Sequence, residues 1–89
     1  MRLIQVTMGA GARTQITTAQ IYSPFLTIQN NSTNNVRVGD NTVTSTKGIL
    51  LTSGSPGGSY TIQRNDNRIP LFLYYISAPV GTVVDIHYE

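Results

Sequence analysis

The sequence predicts an all-β fold: a compact antiparallel β-sandwich or barrel of seven or eight short strands, jelly-roll-like in its winding. Short runs of alternating apolar and polar residues recur along the chain, as half-buried strands require. Clusters of Gly, Asn, Ser and Pro separate those runs. No stretch carries apolar residues at helical spacing.

The first strand runs from Leu3 to Met8, with Ile4, Val6 and Met8 on one face and Gln5 and Thr7 on the other. Gly9-Ala10-Gly11-Ala12 breaks it, and Arg13 to Thr18 is expected to form a second, more polar strand. Ser23-Pro24 marks the entry to a strand over Phe25 to Gln29. The polar segment Asn30-Asn31-Ser32-Thr33-Asn34-Asn35 is expected to join it to Val36-Arg37-Val38 as a hairpin with a long loop. A Gly39-Asp40 turn and the Asn41 to Lys47 loop lead into the apolar segment Ile49 to Leu51. Ser53-Gly54-Ser55-Pro56-Gly57-Gly58 is too glycine-rich for a strand and is expected to be an exposed, pliant loop.

Tyr60 and Ile62 begin another strand, and Asn65-Asp66-Asn67 reads as a turn because Asx side chains bond their own backbone. Leu71 to Ile76, LFLYYI, is the most apolar stretch. It is expected to be a central strand or one whose outer face meets a partner. Ala78-Pro79-Val80-Gly81 is a turn, and Val83 to Tyr88 closes the fold with Val84, Ile86 and Tyr88 inward.

At 89 residues the chain is read as one domain, 1–89, with 1–18 an edge strand or arm. A domain this small buries a modest fraction of its surface. It has no cysteine to staple it, so self-association is expected as a further source of stability. Charged residues are only 11% of the chain, less than half the usual share of about 25%. The net charge of +2 comes from scattered Arg2, Arg13, Arg37, Lys47, Arg64 and Arg68, and Asp66 separates the last two. Such a distribution excludes a nucleic-acid footprint. No segment is long and apolar enough for a membrane helix, and no membrane partner is expected. The N-terminus lacks the continuous apolar core of a secretory signal. Met1 leading straight into a strand is read as the start of a complete gene product that acts where it is made.

Candidate chemistry is sparse. His87 and Asp85 share one face of the last strand and could orient a general base, but no nucleophile can be tied to them. An exposed pair on an outer sheet face explains them more simply. Asp40 and Asp66 sit in oxygen-rich loops that resemble calcium loops, yet each offers one carboxylate where such a site gathers several. Ordinary turns suffice. The few carboxylates make a glycosidase pair a poor reading. Gly54 to Gly58 lacks the Lys-Ser/Thr and following helix of a phosphate loop. No catalytic, cofactor or metal residue is assigned. If Leu71, Leu73 and Tyr75 point inward, Phe72 and Tyr74 form an exposed stripe suited to an oligomer interface. A second core face or a sugar platform would use the same residues.

Leu26-Thr27-Ile28-Gln29-Asn30, Val36-Arg37-Val38-Gly39, Val43-Thr44, Lys47-Gly48-Ile49-Leu50-Leu51, Gly54 and Leu73-Tyr74-Tyr75-Ile76 together resemble small virion proteins of tailed bacteriophages. The resemblance spans residues 25 to 89 and covers the first 24 poorly. It implies a virion structural component, most often a head decoration (cement) protein or a small appendage domain. Such proteins are commonly β-sandwich trimers at local symmetry axes of the shell. The implied partner is the major capsid protein or another virion protein, and the implied location is the virion, assembled in the host cytoplasm. The chain departs from the type in lacking an extended arm, unless Met1 to Thr18 serves as one. In that case Leu3 to Met8 could add as an edge strand to another chain, and Arg2, Leu3 and Gln5 are the expected capsid contacts. The functional expectation is a non-enzymatic capsid-binding protein acting as a homotrimer. A carbohydrate-binding module and a small tail or baseplate component are the alternatives.

Overall fold

The computed structural model describes residues 2–11, 13–64 and 68–89. Within them the regular secondary structure is almost entirely strand. The first half gives β1 (Arg2–Thr7), β2 (Thr14–Gln15), β3 (Tyr22–Ser23), β4 (Phe25–Asn30) and β5 (Val36–Gly39). The second half gives β6 (Ile49–Leu51), β7 (Ser59–Gln63), β8 (Ile69–Pro70), β9 (Tyr75–Ser77) and β10 (Val83–Tyr88). A single turn of 3-10 helix, Leu71–Leu73, lies between β8 and β9.

Strand pairing is nested and antiparallel: β1 with β10, β2 with β9, β3 with β8, β4 with β7 and β5 with β6. The chain is thus one long ribbon, wound so that β10 also meets β4 and β9 also meets β5. Two four-stranded sheets result, β1-β10-β4-β7 and β2-β9-β5-β6, with β3-β8 as a small third pair. The fold is thus all-β, built from antiparallel sheets.

Alternation sets the faces. Across the first sheet, Ile4, Ile86, Ile28 and Tyr60 form one inward row, and Leu26, Ile62 and Tyr88 form the next. The opposite face carries Leu3, His87, Thr27 and Thr61, then Gln5, Asp85, Gln29 and Ser59. Leu26, Ile28, Val84 and Ile86 are fully buried beside Val36, Val38 and Ile76 of the second sheet. Each such side chain contributes roughly 1.5–3 kcal/mol of burial, so the two sheets share one core.

Several expectations need correction. β4 and β5 do not form a hairpin; they lie in different sheets. The cause is Asn30, whose side chain is fully buried at the corner. Its Nδ2 donates to the carbonyls of Asn34, Leu51 and Thr52 at 2.9, 3.0 and 3.1 Å. Its Oδ1 accepts from the Ser32 amide and hydroxyl at 3.0 and 2.7 Å. A chain turned over this amide leaves the sheet instead of folding back along it. The loop after Thr52 is not pliant either. Gly58 exchanges backbone bonds with Thr52 and Asn30 at 2.9 Å each, and a Cβ on Gly57 would collide with the Asn30 and Thr52 carbonyl oxygens. Glycine is needed there for close backbone approach.

LFLYYI is not one strand. Pro70 cannot donate to a ladder, and Leu71 is buried with its amide donating to the Ile21 carbonyl at 3.0 Å. The chain then turns tightly, closed by the Tyr74 amide on the Leu71 carbonyl at 3.2 Å, before β9 begins. Arg13 to Thr18 yields only the two residues of β2, although Ile16 beyond them is buried. The pair β3-β8 was not expected, being too short to show a period. The Asn65-Asp66-Asn67 turn, and Ala12 in the first break, lie outside the described residues.

Candidate functional site

Among the described residues the two four-stranded sheets each end in an unpaired edge, β7 on one and β6 on the other, and residues of both edges line one cleft. Neither strand contains a charged residue or a proline, the devices that usually blunt an exposed edge. By contrast β1, the other edge of the first sheet, starts at Arg2, and Arg13 directly precedes β2.

Between β6 and β7 the sheets part to leave a cleft of about 420 Å³. Ile49 and Val38 form one wall, Tyr60 and Arg64 the other, and Pro70, Leu73 and Tyr74 close the end. Ile49 is 44% exposed and Leu73 56% exposed, so the rim is apolar and open to solvent. A second depression shares Val38, Gly39, Asp40 and Ile49 with the first and extends it along the 40–48 turn.

Charge enters the cleft at two points. Asp40 accepts at one carboxylate oxygen from the Thr42 amide at 2.8 Å and the Thr42 hydroxyl at 2.6 Å. Those bonds, hydroxyl first, hold its pKa below the ordinary carboxylate value, and Lys47 adds a smaller push the same way. The carboxylate thereby closes an ordinary Asx turn. Arg64 also lines the cleft. Burial pushes the Tyr74 phenol above its usual range, against the opposing pull of Arg64.

The residues singled out from sequence fall in several places. Phe72 and Tyr74 do not make an exposed stripe. Both are half-buried, and the side chain turned outward is Leu73. The 3-10 turn replaces the two-residue period of a strand, so the assumed inward set of Leu71, Leu73 and Tyr75 no longer shares a face. Phe72 instead packs edge-to-face on Tyr22, ring centroids 5.4 Å apart, while its carbonyl accepts from the Gln15 side chain at 2.6 Å. Tyr74 is part of the cleft and packs on the core.

Arg2, Leu3 and Gln5 lie together on β1, whose outer edge is unpaired among the described residues, and Leu3 is 60% exposed. Asp85 and His87 do share the outer face of β10. Both oxygens of Asp85 are engaged elsewhere, accepting from the Gln5 amide at 2.9 Å and the Asn31 amide at 3.0 Å. Among the described residues no group of three His, Cys, Asp or Glu side chains is placed to hold a metal ion.

No family model, curated protein or solved structure matches this chain. The cleft therefore has to be read from its own chemistry. Sequence reasoning missed it because its lining is drawn from residues 38 to 74, which only the winding of the ribbon brings together. The one local signal was Ile49-Leu50-Leu51, a strand with apolar residues on both faces.

Proposed function

We propose that this chain is a non-enzymatic structural protein of a tailed-phage virion, of the head-decoration type, which binds the major capsid protein or another virion protein as a homotrimer. The observation that carries the proposal is the uncharged pair of free edges, β6 and β7, framing a cleft whose rim exposes Ile49 and Leu73. Monomeric domains seldom leave such an edge and such a rim together. A second copy of the chain covering the cleft would bury both.

Jelly-roll winding is used by viral capsid and lectin domains, which supports the reading by analogy only, since sites rather than folds carry function. Protomer packing would occupy the β6–β7 side. Arg2, Leu3 and Gln5, on the far edge of the first sheet, would then remain free to meet the shell. Binding the mature lattice in preference to other states stabilises that lattice by the difference in affinity. Several protomers engaging at once supply avidity without strong single contacts.

Light scattering across a size-exclusion column tests the assembly. A mass of three chains is expected, and Ile49→Asp should reduce it to one. A single-chain mass for the parent protein at high concentration would remove the trimer. Cosedimentation with mature heads, against purified tails as the control, then tests the head assignment; pelleting with tails alone would move the protein to the tail or baseplate.

A further inference from the structure

A separate depression lies on the outer face of the β2-β9-β5-β6 sheet, away from the cleft. Arg37 sits at its floor, paired across the sheet with Leu50 on β6 and Ser77 on β9. The cavity is about 480 Å³, within the range of small-molecule sites. Thr44 and Ser45 form one wall, Leu50 and Pro79 supply apolar surface, and Asn35 stands at the side. Among the described residues no carboxylate lines it.

What this cup presents is hydrogen-bond donors. Arg37 donates through Nη1 to the Gly48 carbonyl at 2.9 Å, while its buried Nε has no partner among the described residues. A guanidinium carries five N–H donors and no acceptor. Asn35 already uses its acceptor, Oδ1 taking the Ser53 amide at 2.9 Å, which leaves the NH2 to donate. Thr44 Oγ1 accepts from the Thr46 amide at 3.3 Å and lies 3.5 Å from the Thr46 hydroxyl, so a ligand oxygen in the cup would compete with Thr46 for its proton. Arg13, donating to the Val43 carbonyl at 3.0 Å beside Thr44, adds positive charge nearby.

From this arrangement we infer that the cup is a binding site for a carboxylated sugar of the uronic- or sialic-acid class. With Nε buried and one Nη1 proton on the Gly48 carbonyl, the remaining Nη donors of Arg37 are the ones that match a carboxylate. The Asn35 and Thr44 donors suit ring and side-chain oxygens, and Leu50 with Pro79 can cover the C–H face of a pyranose. A single guanidinium on the floor favours a monoanion over a phosphate dianion. The site shares no lining residue with the proposed protomer contact at Ile49 and Leu73 or with the proposed shell contact at Arg2, Leu3 and Gln5.

The test is an amide chemical-shift titration of the full chain with glucuronate and with N-acetylneuraminate, using glucose and inorganic phosphate as controls. Saturable shifts at Asn35, Arg37, Thr44 and Ser45 with either acid, and none with glucose, are expected. Arg37→Gln should weaken binding about tenfold to a hundredfold, as loss of a charge-assisted pair does. Ser45→Glu, at an exposed wall position, should repel the acid equally and keeps the test valid if Arg37→Gln fails to fold. No saturable shift with either acid overturns the inference. Equal binding of glucose or of phosphate also overturns it, since that would make the site neutral or a general anion cup.

Discussion

The two ends of β6 behave in opposite ways. At Leu51 the strand is buried, and its carbonyl is tied by Asn30 into a corner where every polar atom of that amide has a partner. Two residues earlier, Ile49 stands almost half exposed at the rim of a cleft, with none of the described residues over it. One end hides a polar group and satisfies it, and the other displays an apolar group and leaves it uncovered. Buried amides are tolerated only when bonded, and exposed apolar rims persist where something else is to cover them. The corner therefore serves the fold, and the rim serves a partner.

The sharpest way to break that contrast is at the corner. Asn30→Leu keeps the volume roughly but leaves the carbonyls of Asn34, Leu51 and Thr52 and the amide of Ser32 without this partner. A loss of about 3 kcal/mol or more is expected, from orphaned buried groups at about 1–3 kcal/mol each. Urea denaturation measures it, and a loss within experimental error would mean the corner is not what directs the chain between sheets. Gly57→Ala comes next. Its Cβ meets two carbonyl oxygens of the same corner, and overpacking of this kind costs about 1–3 kcal/mol.

At the rim the expectation reverses. Ile49→Asp and Leu73→Asp should each cost about 1 kcal/mol at most, since half of each side chain is already in water. Their effect belongs in the assembly, where light scattering should show the mass falling to one chain. A variant that unfolds instead, with the mass of the folded fraction unchanged, would place these residues with the corner and not with a partner.

The sequence made the corner's strands plain and its mechanism obscure. β4 and β10 were legible because Leu26 and Ile28, and Val84, Ile86 and Tyr88, recur every second residue, and each of them is buried. Asn30 read as a turn residue because its type suits turns, but its partners Leu51 and Thr52 lie 21 and 22 residues further on. No local pattern reports them. LFLYYI misled for a different reason. Its hydrophobicity outweighed Pro70, the signal that a strand could not run through. Leu73 thus takes the exposed place expected for Phe72 and Tyr74. The cleft depends on both facts, so it was out of reach until the winding was known.

The smallest expected effect separates the two regions by titration. The corner contains amides and hydroxyls only, so acid should leave it alone. The rim contains Asp40, whose pKa is held below the ordinary 3.8 by the Thr42 hydroxyl and amide and then by Lys47. A carboxylate depressed in the folded state stabilises that state above the unfolded value, and the contribution is lost as pH falls through the folded one. Asp40 is fully exposed, so the effect is slight. Asp40→Asn should therefore melt a little below the parent near neutral pH, and the gap should close as pH falls well below 3.8. Hydrogen exchange read residue by residue should show acid loosening Thr42 and Val43, with Ser32 and Gly58 unchanged. A gap that stayed constant with pH would assign the difference to hydrogen-bond geometry and not to charge. Acid loosening of the Asn30 corner in step with the rim would make them one cooperative unit, and the division of β6 into a fold end and a partner end would fail.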